Sequence, residues 1–199
     1  PENWNPKIKF QFESLIAAKS FWEQVEEVGG ISSGYARLGR VQPILDQGSL
    51  ELAQKRITTA KDLWRGLAEW SVSAQQPEWA PASPTGHWII DTLAARINPM
   101  GACRALEAAL LAKRVQITHE AEDKGKVIWA TGTHDLLHIS QELGKSFGNG
   151  VKGQAALFEL DKRYQPQIFA DALHFVPHED GTLAVGSTSE RYYKTEHDV

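Results

Sequence analysis

Apolar residues follow two periods along this chain, and the division between them limits what it can fold into. Phe12, Leu15, Ile16, Phe21, Trp22 and Val25 recur near every 3.6 residues, which predicts a helix over 8–28. Gly29-Gly30 is expected to end it. Leu50, Leu52, Ile57, Leu63, Trp64, Leu67 and Trp70 predict a second helix over 49–72, with Ser49 as its N-cap. Asn98-Pro99 opens a third, running through Leu111, because proline suits the first helical position. Elsewhere the pattern shortens to that of strands. One or two are expected within Gly34–Leu45, and others at 87–91, 115–119, 126–130, 150–160, 168–177 and 182–188, with Asp180-Gly181 as a hairpin turn. Residues 73–86, punctuated by Pro77, Pro81, Pro84 and Gly86, read as a loop. Helices dominate the first half and strands the second, without regular βαβ alternation. The expected class is α+β, a mixed and mainly antiparallel sheet flanked by helices.

Composition removes several functions. The chain has 199 residues, a length that suits one domain. It carries 21 basic and 25 acidic residues, which argues against a general nucleic-acid binder. The one cysteine, Cys103, allows no internal disulfide and no multi-cysteine zinc site. No run approaches the roughly 18 apolar residues of a membrane span. The opening Pro1-Glu2-Asn3-Trp4-Asn5 lacks a basic-then-apolar leader pattern, so a cytoplasmic setting is expected. The polar tail begins at Arg191.

Short motifs give little chemistry of their own. Gly148-Asn149-Gly150-Val151-Lys152-Gly153 spells a dinucleotide-loop pattern, but an expected strand follows where that loop needs a helix. Gly30-Ile31-Ser32-Ser33-Gly34 spells a nucleophile elbow but lies between helix and strand, the reverse of the required order. His134 and His138, at i and i+4, lack an obvious third metal ligand. Cys103 is expected to be a small buried residue, and Trp22, Trp64 and Trp70 to be core at helical spacing. The most informative segment is Lys126–Gly132, an apolar strand ending in Ala-Thr-Gly, where small residues allow a close backbone approach.

Several segments, taken in order, resemble the FAD-dependent oxidoreductases of the glycine/D-amino-acid oxidase type. Asp91–Pro99 with the helix to Leu111 resembles that family's strand, Asn/Asp-Pro and helix. Val127-Ile128-Trp129-Ala130-Thr131-Gly132 resembles its VVxATG strand, and Val151-Lys152-Gly153-Gln154 its V-(K/R)-G-Q entry. Phe175–Glu190 resembles its hairpin followed by G-(S/A)-T-x-E. Residues 8–45 carry a weaker likeness, a helix and then a Gly-Tyr strand.

The resemblance implies a substrate domain (about 8–91 and 150–190) joined in one structural unit to a portion of the FAD domain (about 95–140). It implies FAD as cofactor, a small amine or amino acid as substrate, and oxidation of a C–N bond by hydride transfer to the flavin. Thr131 and Gly132 match the loop whose backbone lies near the FAD pyrophosphate. His174 falls near a position of substrate contact. The family's usual Gly-rich start and flavin-completing end find no match, so the chain is expected to be the interior of such an enzyme and a weak FAD binder alone. The other expectation is a stand-alone α+β binding or scaffold domain without flavin.

Overall fold

The structure, a computed structural model, describes residues 4–120, 122, 124–186 and 188–191. It forms two compact units: the described residues up to Gln116 with Ala156–Val185, and Ile117–Ala155 with the described residues from Gly186 onward.

Helix α1 spans Pro6–Gly29. Its start is set by Asn5, whose side chain accepts the Ile8 amide at 3.0 Å, with Pro6 in the first turn. Gly30 closes it at φ +69°, as the glycine pair predicts. Strand β1 is Arg40–Pro43 and helix α2 is Gln47–Trp64. Here the expectation needs correcting twice. The N-cap is Asp46, which accepts the Ser49 amide at 2.8 Å. The helix also stops eight residues early: Arg65 turns left-handed at φ +50°, and Trp70 opens a strand, β2, Trp70–Ser73. Trp70 still enters the core, where its indole donates to the Ala53 carbonyl at 3.1 Å. Burial there is common to helix and strand, so the apolar position was legible and the backbone around it was not.

Strand β3 is Trp88–Asp91, and helix α3 is Pro99–Ala112, capped by Asn98 through the Gly101 amide at 3.0 Å. Ala102, Ala105 and Ala109 form its buried stripe, and Ala105 and Ala109 pack on Val25 of α1. Cys103 lies one position off that stripe and is exposed, contrary to the expected burial, because a single helical step of about 100° takes it out of the contact. Residues 115–119 and 126–130 form no strand. Both segments are largely exposed, with Ile128 86% and Trp129 68% accessible, so their apolar letters are not matched by a buried strand. Helix α4 is Gly132–Glu142. The remaining strands are β4 Ala155–Glu159, β5 Gln167–Ala170, β6 Leu173–Pro177 and β7 Thr182–Gly186.

The sheet order is β2-β3-β1-β5-β6-β7-β4. β1 pairs antiparallel with β3 and parallel with β5, Val41 lying opposite both Ile90 and Ile168. The mixed, mainly antiparallel α+β class is therefore observed. The segment 168–177, expected as one strand, is a hairpin: β5 and β6 pair as Ile168↔Phe175, Phe169↔His174 and Ala170↔Leu173. Asp171 and Ala172 turn it at φ +50° and +61°, the positive values that a two-residue hairpin loop favours. Neither is glycine, which hid the turn.

Beneath the junction of β1 and β3, Arg40 donates to the Asp91 carboxylate from Nε at 3.0 Å and Nη2 at 2.9 Å. Asp91 also accepts the Ala94 amide at 2.8 Å and is 3% exposed. Gly39 is required beside it: at φ +80°, a Cβ would stand 2.5 Å from the Asp91 carbonyl oxygen.

Two stability changes follow. Asp91→Ala strands the half-covered Arg40 guanidinium and lowers stability by about 3 kcal/mol. Ala172→Gly removes the left-handed penalty and raises stability by about 1 kcal/mol. Urea unfolding midpoints measure both, with an unchanged slope expected for the glycine variant.

Candidate functional site

The β5–β6 hairpin offers two different faces, because strand side chains alternate. Phe169 and His174, a cross-strand pair, share one face with ring centroids 4.7 Å apart, and His174 is exposed. Ile168, Ala170, Leu173 and Phe175 share the other. Over that second face folds the loop after β2, and together they line an open cleft of about 460 Å³. The loop is held by Trp88, whose indole donates to the Pro81 carbonyl at 2.9 Å, and by Gln76, which reaches the Ala80 carbonyl at 3.0 Å. Sequence reading placed His174 at a substrate contact but missed Trp79 and Asp171 at the cleft. A tryptophan inside a proline-rich loop was the available signal.

A polar cluster lies where the β6–β7 turn meets the N-terminus of α3. Arg96 is 9% exposed and donates to the Pro177 carbonyl, and no described residue accepts from its Nε. Burial lowers the guanidinium pKa from its ordinary value, while the Glu179 carboxylate acts in the opposite direction. Ser32, the serine of the elbow-like motif, donates to Glu179 at 2.6 Å, and no histidine hydrogen-bonds to it. Ser33 is fully buried and bonds the Glu26 carboxylate through both its amide and its hydroxyl. Both hydroxyls donate to carboxylates, and Ser33 is closed off from any substrate, so these serines tie the chain together. Asp180 accepts from the Thr182 hydroxyl at 2.6 Å and its amide at 3.0 Å, which lowers its pKa. His178 is held below its ordinary pKa mainly by burial, with Asp180 opposing and Arg96 assisting.

Arg37 and Arg40 hold the backbone and sheet. Arg37 donates to the Thr92 carbonyl at 2.9 Å and the Leu67 carbonyl at 2.7 Å, and Arg40 is committed to Asp91. His138 lies 3.8 Å from Glu142 on the exposed side of α4. The described residues contain no group of three or more His, Cys, Asp or Glu side chains arranged for a metal. Ser187 of the G-(S/A)-T-x-E likeness, Pro1 and the tail beyond Arg191 lie outside the described residues, as does the side chain of His134.

Thr131 is the N-cap residue of α4 but makes no side-chain capping bond, and it is followed by Gly132 at φ +75°. A Cβ at Gly132 would meet nothing within 4 Å. Gly148–Gly153 leads into β4, with no helix behind it. Among the described residues, then, one uncovered helix N-terminus faces outward, but no strand, Gly-rich turn and helix join into a dinucleotide cradle. These residues do not by themselves fit FAD.

Comparisons with known proteins agree with the architecture. A family model, FAD dependent oxidoreductase, matches residues 4–199. Glycine oxidase from Geobacillus kaustophilus has a similar fold, with a TM-score of 0.64 at 15% identity over 94% of this chain and 56% of that one. Iminodiacetate oxidase from Chelativorans sp. gives 0.67 at 17% identity over 100% and 61%. L-amino acid deaminase from Proteus vulgaris gives 0.61 at 16% identity over 93% and 50%. The chain thus spans between half and three-fifths of these three structures. No curated protein matches the sequence. No helix among the described residues is long and apolar enough to cross a membrane.

The depressed pKa of His178 sets a pH dependence. Its unfolded form takes up a proton first, so its contribution to stability is in place above about pH 6.5 and is lost as pH falls through the folded value. The urea midpoint is expected to drop between about pH 7.5 and pH 5, and His178→Gln to flatten that drop.

Proposed function

Since the chain belongs to the FAD-dependent oxidoreductase family, we propose that the protein it forms part of oxidises the C–N bond of a small amine or amino acid. The match over residues 4–199 carries this reading, supported by the sheet it shares with the solved oxidases and deaminase. The substrate domain comprises about 8–91 and 150–190, and about 95–140 belongs to the FAD domain. Thr131 and Gly132 contribute backbone near the FAD pyrophosphate, a role supported by the uncovered N-terminus of α4 and the space around Gly132. His174 contacts the substrate. Its ring is exposed beside Phe169, so a polar group can meet the imidazole while an apolar one lies on the phenyl ring. The cytoplasm is the compartment proposed, in keeping with a single exposed thiol.

The second reading is a binding or scaffold domain without flavin. One experiment separates the two. The protein from its complete reading frame is purified, its visible flavin absorption is recorded, and it is mixed anaerobically with glycine, N-methylglycine and simple alkylamines. Bleaching of the flavin band by any of these supports the oxidoreductase. Protein that is colourless even after incubation with FAD and desalting favours the scaffold. In an active protein, His174→Ala is expected to lower kcat/KM about tenfold, chiefly through KM. An unchanged kcat/KM removes His174 from the site.

A further inference from the structure

We propose that helix α1 carries a contact surface for a second copy of this chain, in a twofold pair whose α1 helices run antiparallel. The surface is a stripe along one exposed side of the helix. Phe10, Ser14, Ala17, Phe21, Gln24 and Val28 follow one another at steps of four and three residues. At about 100° per residue, all six lie within about 40° of one line along α1. All six are exposed, Phe10 at 70% and Phe21 at 50%. Other residues hold the helix in place: Phe12 and Ile16 pack into the core, and Val25 packs on Ala105 and Ala109 of α3. Side chains at the spacing of this stripe form the seam between paired helices, and exposed rings along it mark an interaction surface.

The order of residues along the stripe selects a second copy as the partner. A twofold axis level with Lys19, which lies on the opposite side of the helix, joins residues equally far from it in either direction. Phe10 then meets Val28 of the second copy, Ala17 meets Phe21, and Ser14 meets Gln24. Apolar faces apolar, a small residue faces a ring, and polar faces polar. The open groove between α1 and α3, about 260 Å³ and lined by Phe21, Val25, Val28 and Ala109, lies at the end of the stripe that receives Phe10. Charge agrees along one edge. Lys9 and Glu27 both lie about 100° to the same side of the stripe, so the antiparallel pair brings each Lys9 level with Glu27 of the second copy. Lys9 is 3.8 Å from Glu13 of its own helix, and its ammonium then stands between two carboxylates. A parallel pair would leave Lys9 and Glu27 about 27 Å apart along the helices. The contact is at the small end of specific interfaces, and a dissociation constant of about 10 µM is expected. The pairing involves α1 and α3 only, apart from the face of His174 and independent of the flavin reading.

Analytical ultracentrifugation of the protein from its complete reading frame, over about 1–100 µM, tests the pairing through its dissociation constant. A monomer–dimer equilibrium is expected. Phe10→Glu and Phe21→Glu each bring two charges into the symmetric contact and should weaken it at least about a hundredfold. Both rings are exposed, so each variant should keep the circular dichroism of the parent. Leu111→Glu, at an exposed position of α3 outside the stripe, should leave the equilibrium unchanged. Lys9→Glu should weaken the dimer about fivefold, and Lys9→Glu combined with Glu27→Lys should restore it to within about twofold. Restoration requires the antiparallel register. The proposal is overturned by a monomer throughout the range, which would mean that a different partner or another part of the protein covers the stripe. It is equally overturned by a dimer that Phe10→Glu and Phe21→Glu leave intact, or by a double charge variant no tighter than Lys9→Glu.

Discussion

The buried carboxylate of Asp91 is the contact on which the rest of the sheet depends. It ends β3, takes two hydrogen bonds from Arg40 at the start of β1, and accepts the Ala94 amide as the chain leaves the sheet. A carboxylate at 3% exposure is tolerable only when its oxygens are satisfied, and here each of them accepts at least one hydrogen bond. The pair fixes the register of β1 against β3. Because β1 is also the parallel partner of β5, the same pair sets where the β5–β6 hairpin begins. Gly39 allows the approach by leaving the Asp91 carbonyl unobstructed.

From that anchor, the hairpin becomes a two-sided device. One residue of register separates a polar, exposed face at His174 from an apolar wall at Leu173 and Phe175. A shift by one would exchange them. The strained turn at Asp171-Ala172 sits at its tip, and the polar cluster of Arg96, His178 and Asp180 holds the following turn against α3. Which residues share a surface here thus depends on the face of one hairpin that each occupies.

Much of this was legible from residue order alone. Asn5 and Asn98 cap helices through a local geometry involving three or four neighbouring residues, so α1 and α3 appear nearly where their letters place them. The Asp180-Gly181 turn is equally local. Several misreadings come from taking apolar letters as a guide to burial or to backbone state. Trp70 is buried in a strand rather than a helix, Cys103 falls one step outside its helix's buried stripe, and Val127–Ala130 carries strand letters without a strand. His174 was singled out by the resemblance, whereas Trp79 was passed over, because its place is set by a loop packing beside strands about ninety residues away.

The sequence by itself determined the α+β class, the glycine end of α1, the Asn98-Pro99 start of α3 and the family likeness, because each rests on residues close together in the chain. Only the tertiary structure decided that residues 168–177 fold back on themselves and that Asp91 is buried against Arg40. It also decided that the loop bearing Trp79 and the strands bearing Ile168 and Phe175 line one cleft. Those depend on pairing distant segments in one register. A local pattern carries no record of which segment will lie opposite, since one alternation of apolar and polar residues serves either face equally well.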